Sequence, residues 1–180
     1  MEYEVYYNIK KEEVIDLIKL DYDNYFGSDV GDLESCIKWL EICPEVYTIV
    51  KKDKEIIGYI NFLPITKDCY EKIKQGNKKD YEISLDDVLD FRIGDNYCLF
   101  MSIVLKKIYR KSMCLFFLLN GFKDKLYNLY KKGICIKGVI ADCITHDGEK
   151  LAKYYNGKFI CRTKTGSKIF EFKFNDFLVQ

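Results

Sequence analysis

Residues Tyr97 to Leu119 constrain the fold more tightly than any other stretch of the chain. Tyr97 to Leu105 (Tyr-Cys-Leu-Phe-Met-Ser-Ile-Val-Leu) is an apolar run of strand length, rich in β-branched and aromatic side chains. Lys106 to Ser112 is a basic loop. From Met113 the period changes: Leu115, Leu118, Leu119, Phe122, Leu126 and Leu129 recur at spacings of three and four, which predicts a helix. The stretch therefore reads strand, basic turn, helix. Such a junction aims backbone N–H groups and the positive end of a helix dipole at one spot, a site suited to phosphate.

Composition narrows the class. The chain has 180 residues, enough for one domain with a sizeable core, and we expect one domain over residues 1–180. The net charge is +1, so no global field draws nucleic acid or an anionic membrane, and neither is expected as a partner. No apolar run reaches the roughly 20 residues that span a bilayer. The N-terminal Met-Glu-Tyr-Glu-Val has the character of no signal peptide, and a cytoplasmic location is expected. The eight cysteines are scattered and none forms a Cys-x-x-Cys pair. They read as free, mostly buried thiols, and with a single histidine no metal site is expected.

In chain order, Glu2 to Asn8 has strand character. Lys11 to Tyr25 reads as an amphipathic helix with Val14, Ile15, Ile18, Tyr22 and Tyr25 on its apolar face, broken by Phe26-Gly27-Ser28-Asp29. Asp32 caps a second helix that carries Trp39, read as core, and Pro44 lies past its end. Val46 to Val50 and Glu55 to Leu63 form a hairpin around the charged turn Lys51 to Lys54, with Pro64 ending the second strand. Residues 65–96 form an insertion before the central strand. In it Cys69 to Gln75 is helical for a turn or two, and Ile83 to Phe91 reads as a short helix capped by Ser84 with Asp87 at its third position. Ile136 to Ile144 is a buried strand. Asp147 is the expected N-cap of a helix from Glu149 to Tyr155, and Lys158 to Arg162 with Ile169 to Phe174 close the chain as a hairpin.

Ser-Ile-Val-Leu-Lys-Lys-Ile-Tyr-Arg-Lys-Ser resembles the central strand and pyrophosphate loop of the GNAT superfamily, the acyl-CoA-dependent N-acyltransferases. In that family an aliphatic strand runs into Val-x-Pro-x-Tyr-Arg and then a Gly-x-Gly loop; Val104, Tyr109 and Arg110 match, and Gly58 matches a glycine common in the third strand. The order β-α-α-β-β, insertion, β-α-β-α-β-β is also similar to the family's. The resemblance implies a mixed α/β fold with a twisted, mostly antiparallel sheet of six to seven strands, one splayed strand pair and four or more flanking helices.

What the resemblance implies chemically is transfer of an acetyl group from acetyl-CoA to a primary amine of a small molecule or amino-acid-like acceptor, by direct attack. The N–H of Val104, or of its neighbour Leu105, would hold the thioester carbonyl as oxyanion donor. Arg110, Lys111, Ser112, Met113, Cys114 and Leu115 would hold the pyrophosphate by backbone N–H groups, with Lys106, Lys107, Arg110 and Lys111 adding charge. Tyr154 is the candidate to protonate the leaving thiolate, although another alignment puts Ala152 at that position. Met113 and Leu115 stand where the family usually has glycine. If either needed positive φ it would cost about 1–2 kcal/mol.

Three other readings stay open at this stage. Asp86, Asp87 and Asp90 are either solvated surface charge or an attraction for a cationic amine. Cys143 near His146 has the elements of a nucleophile pair but no orienting motif around it. The whole chain could instead be a non-catalytic acyl-CoA sensor or accessory domain of the same fold. A homodimer through an exposed strand edge is also compatible with the resemblance.

Overall fold

The apolar runs form strands and the helical periods form helices in the computed structural model, which describes residues 3–27 and 30–174. In chain order these are β1 (Glu4–Tyr6), α1 (Val14–Tyr22), α2 (Leu33–Ile42), β2 (Tyr47–Lys52), β3 (Glu55–Ile65) and α3 (Lys67–Lys74). They are followed by β4 (Gly94–Leu105), α4 (Cys114–Lys131), β5 (Ile134–Cys143), α5 (His146–Tyr154), β6 (Lys158–Arg162) and β7 (Lys168–Phe172). Seven strands make one sheet in the order β1-β2-β3-β4-β5-β7-β6. The β1–β2, β2–β3, β5–β7 and β6–β7 pairs are antiparallel and β4–β5 is parallel, so the mixed α/β class and the mostly antiparallel sheet agree with expectation. Ser28, Asp29 and Glu2, which figured in the expected helix break and first strand, lie outside the described residues.

The chain divides into two compact units whose boundary crosses β3 and β4. The first comprises the chain up to Phe62 and Ser102–Leu126. Its core includes Val14, Leu17 and Ile18 of α1, Tyr47, Ile49 and Val50 of β2, and Phe62, which meets Phe122 of α4 edge to face at 5.0 Å. Full burial of side chains of this size contributes about 1.5–3 kcal/mol each. Trp39 is buried as expected, and Asp32 caps α2 by accepting the Ser35 N–H at 2.8 Å. The apolar face of α1 differs from expectation. Ile15 and Tyr22 are exposed, while Leu17 and Asp21 are buried with Val14 and Ile18. The stripe 14-17-18-21 is a regular helical face, but it carries a carboxylate where a hydrophobe belongs, and that hid it.

The second unit comprises Leu63–Met101 and the chain from Tyr127 onward. Pro64 does not end β3: the strand runs to Ile65, and the proline, which lacks an N–H, uses its carbonyl to accept from Leu89 N–H at 2.9 Å. The segment read as a helix over 83–91 makes a single 3-10 turn, Leu85–Asp87. Asp87 accepts from Ser84 N–H at 2.8 Å and pairs with Lys78 at 2.6 Å, so the cap is satisfied within one turn. Helix α5 begins earlier than expected. Thr145, extended at the strand exit, is the cap and accepts Gly148 N–H at 3.0 Å, which leaves Asp147 inside the first turn. Lys79 is buried, and its ammonium donates to Asp142, Thr163 and Ser167 at 3.1, 2.8 and 2.5 Å.

Gly58 is where β3 tolerates no side chain. A Cβ there would lie 2.4 Å from Leu105 Cδ2 and 2.9 Å from the Val104 carbonyl oxygen. Gly58→Ala is therefore expected to destabilise the protein by about 1–3 kcal/mol through overpacking. Urea unfolding would show this as a lower midpoint at unchanged slope; an unchanged midpoint would mean that β4 yields without cost at this point.

Candidate functional site

The parallel register of β4 with β5 runs from Gly94↔Ile134 to Leu99↔Ile140 and stops there. β5 stays paired with β7 as far as Cys143↔Lys168, and β4 continues to Leu105. Val104 and Leu105 are buried, and Lys106 N–H donates to the Ile57 carbonyl on β3 at 2.8 Å.

Beyond Leu105 the turn makes some of its own hydrogen bonds. Tyr109 N–H donates to Lys106 O at 2.8 Å, Arg110 N–H to Lys107 O at 3.3 Å and Ser112 N–H to Tyr109 O at 3.1 Å. The Ser112 hydroxyl accepts Cys114 N–H at 3.1 Å. The first bond that leads into α4 is Phe117 N–H to Met113 O at 3.0 Å. Among the described residues, the N–H groups of Lys111, Met113, Leu115 and Phe116 donate to no protein acceptor. Of the six residues expected to hold pyrophosphate through their N–H groups, Lys111, Met113 and Leu115 keep theirs open, while Arg110, Ser112 and Cys114 use theirs within the turn.

Neither Met113 nor Leu115 has positive φ, so their backbones carry no strain in place of glycine; the difference from the family pattern is side-chain bulk. Met113 is 56% exposed and turned outward. Of the four cations, Lys106 pairs with Glu55 at 2.5 Å, and Arg110 donates to the neutral Asn24 side chain, which leaves its charge uncompensated by that contact. Lys107 and Lys111 are exposed.

A second polar group lies in the same unit and was missed in the sequence. Asp21 is only 5% exposed. It accepts the Tyr59 hydroxyl and, at 3.2 Å, the Gly31 N–H. The Ser102 hydroxyl of β4 donates in turn to the Tyr59 oxygen at 3.5 Å. Burial pushes the Asp21 acid up to about 6, against the two hydrogen bonds that favour its anion. The signal was available: an acid at a core position of a helical stripe.

Tyr154, the expected proton donor, is the last residue of α5 in the second unit, 65% exposed, with its ring edge-on to Tyr155 at 5.3 Å. Ala152 is buried. Burial pushes the Cys143 thiol up to about 12, which argues against a thiolate nucleophile beside His146. Asp87 is held below the usual carboxylate range: burial acts upward, and the Lys78 ion pair with the Ser84 donors outweighs it. Asp86 and Asp90 are exposed. No group of metal-ligating side chains occurs among the described residues, and no helix among them is long and apolar enough to cross a membrane.

The Asp21 shift has a consequence for stability. The folded state keeps this proton up to about pH 6, whereas an unfolded aspartic acid releases it near 3.8. The stability it contributes is full below the lower value and is lost as pH rises through 6, by about 3 kcal/mol. Asp21→Asn is therefore expected to raise the denaturant midpoint at neutral pH and to leave it nearly unchanged at about pH 4. A variant less stable at both would show that the anion is not what burial penalises.

Neither a protein-family model nor a curated protein sequence matches this chain. Solved structures do. The N-acetyltransferase from Staphylococcus aureus Mu50 is 14% identical, over 97% of this chain and 99% of that one, with a TM-score of 0.61. The loading GNATL domain of CurA from Lyngbya majuscula is 12% identical over 97% and 99%, with a TM-score of 0.62. The GphF GNAT-like decarboxylase, in complex with isobutyryl-CoA, is 9% identical over 97% and 100%, with a TM-score of 0.64. With the strand order, these whole-length likenesses identify the fold as that of the GNAT superfamily.

Proposed function

We propose that the protein is a cytoplasmic N-acyltransferase that moves an acetyl group from acetyl-CoA to a primary amine of a small or amino-acid-like acceptor. The observation that carries this reading is the turn after β4, where four open N–H groups at Lys111, Met113, Leu115 and Phe116 stand among four cationic side chains at the start of an 18-residue helix. Such groups favour a pyrophosphate by direct donation and by the helix dipole.

The rest of the site follows from strand geometry. Lys106 N–H points to β3, so the two-residue alternation of a strand turns the Leu105 N–H to the opposite edge. Leu105 is thus favoured over Val104 as oxyanion donor. The amine attacks the carbonyl carbon, the N–C bond forms, and the C–S bond breaks. A thiol of pKa about 8.5 departs as its anion without an acid, so the reaction does not depend on a proton donor. The side chains of Met113 and Leu115 favour a second reading, an acyl-CoA sensor in which the donor binds without transfer.

Thermal unfolding with CoA and with acetyl-CoA, on wild type and Arg110→Glu, tests the site. A ligand at 100 times its dissociation constant adds about 2.7 kcal/mol, and the shift is expected to be lost in the variant. Release of CoA from acetyl-CoA by an amine panel then separates transfer from sensing. GphF is a decarboxylase, so malonyl-CoA belongs in the same panel. Absence of a shift with either ligand would overturn the acyl-CoA reading.

A further inference from the structure

Asp21 sits on the core stripe of α1, yet its hydrogen-bond partners, the Tyr59 hydroxyl and the Gly31 N–H, bear no charge to offset its own. The other ionisable groups that face it are Cys36 on α2, Tyr47 on β2 and Tyr59 on β3, and Tyr25 faces Tyr59 from beyond α1. Burial raises the Cys36 thiol to about 11 and lifts both Tyr47 and Tyr59 well above their ordinary range. At neutral pH those three are protonated, and no cation is among the groups that act on Asp21. A buried carboxylate without a cation is costly to keep for packing alone.

The direction of the hydrogen bonds shows what the cost could serve. The Ser102 hydroxyl donates to Tyr59, and the Tyr59 hydroxyl donates to Asp21. Each proton in the row already points toward the carboxylate, which leaves the Ser102 oxygen free to accept at the outer end. Ser102 is half-buried, whereas Tyr59 and Asp21 are buried. It lies on β4 two residues before Val104, and the strand period puts both side chains on one face, about 7 Å apart along the strand.

We propose that Ser102, Tyr59 and Asp21 form the proton-accepting relay for the incoming amine, with Ser102 the group that touches it. This rests on the acyl-transfer reading above. As the N–C bond forms, the nitrogen becomes cationic and must lose a proton. That proton passes to the Ser102 oxygen, the serine proton to Tyr59, and the tyrosine proton to Asp21. The C–S bond breaks with its electron pair on sulfur. CoA leaves as thiolate and takes a proton from solvent, and Asp21 later returns its proton to solvent, so the balance is one amide and one thiol. The 3.5 Å contact from Ser102 to Tyr59 is long for a hydroxyl pair, as catalytic hydrogen bonds commonly are before substrate binds.

The test is the pH dependence of CoA release from acetyl-CoA, with ethanolamine, spermidine and lysine as acceptors, in wild type, Asp21→Asn and Ser102→Ala. Deprotonation of the amine alone gives log kcat/KM a slope of one against pH. The relay steepens the wild-type slope to two below about pH 6, and both variants are expected to keep a slope of one with kcat down about 10²-fold. The acetyl-CoA thermal shift is expected to be unchanged in both, which a mere loss of packing would not predict. Should Asp21→Asn fail to fold, Ser102→Ala decides alone, since its side chain is half-buried and small. A slope of two retained in either folded variant, or undiminished kcat, would overturn the relay while leaving acyl transfer intact. A wild type that binds acetyl-CoA but releases no CoA to any of these amines would overturn both the relay and the transfer reading. A wild type that does not bind acetyl-CoA would overturn the donor site as well.

Discussion

The hydrogen bonds that end between β4 and β5 at Leu99↔Ile140 are the constraint on which the functional reading depends. A backbone N–H or carbonyl buried away from water must find a partner, and in a sheet that partner is the neighbouring strand. β4 keeps its bond to β3 at Lys106 and runs on to the turn, so the Leu105 N–H on its other edge lies beyond the last β4–β5 pair. At the start of α4, the geometry of a helix leaves its first N–H groups unsatisfied. The Leu105 N–H on the strand and the open N–H groups at the helix start are joined by a turn of four cations. The fold creates both by topology, and Gly58 helps by letting β3 press directly on Val104 and Leu105.

Asp21 shows a different economy. Its burial costs stability at neutral pH, and no cation offsets it. Lys79 is the instructive contrast: also buried, it is compensated by Asp142 and two hydroxyls, as a structural charge should be. Residues that cost stability without structural return are found at working sites more often than elsewhere.

Most of the fold was legible in the sequence because it rests on periodicity. The strand–turn–helix at 97–119, the hairpin before it and the closing hairpin all appear where the alternation placed them. What was misread turned on single polar residues and local caps. Thr145 and Asp147 can both cap a helix, and only the extended backbone at Thr145 decides between them. The Ser84–Asp87 box signalled a helix start, but it is satisfied by one 3-10 turn with Lys78, and nothing in the sequence showed that the turn stops there. The stripe 14-17-18-21 does not read as apolar because Asp21 is charged, and so the buried acid that this unit shows among its described residues stays hidden. Which N–H groups of the basic turn stay open was likewise unreadable, since it depends on turn bonds such as that from Cys114 to the Ser112 hydroxyl.

In the proposed acyltransferase, acyl-CoA is held by backbone donors of the turn after β4. Amide NMR of the protein titrated with acetyl-CoA tests it directly, residue by residue. The account predicts that the amides of Lys111, Met113, Leu115 and Phe116 shift downfield together with Leu105, while Arg110, Ser112 and Cys114, already bonded within the turn, move less. Saturable shifts confined to other parts of the chain, with these five amides unmoved, would contradict it.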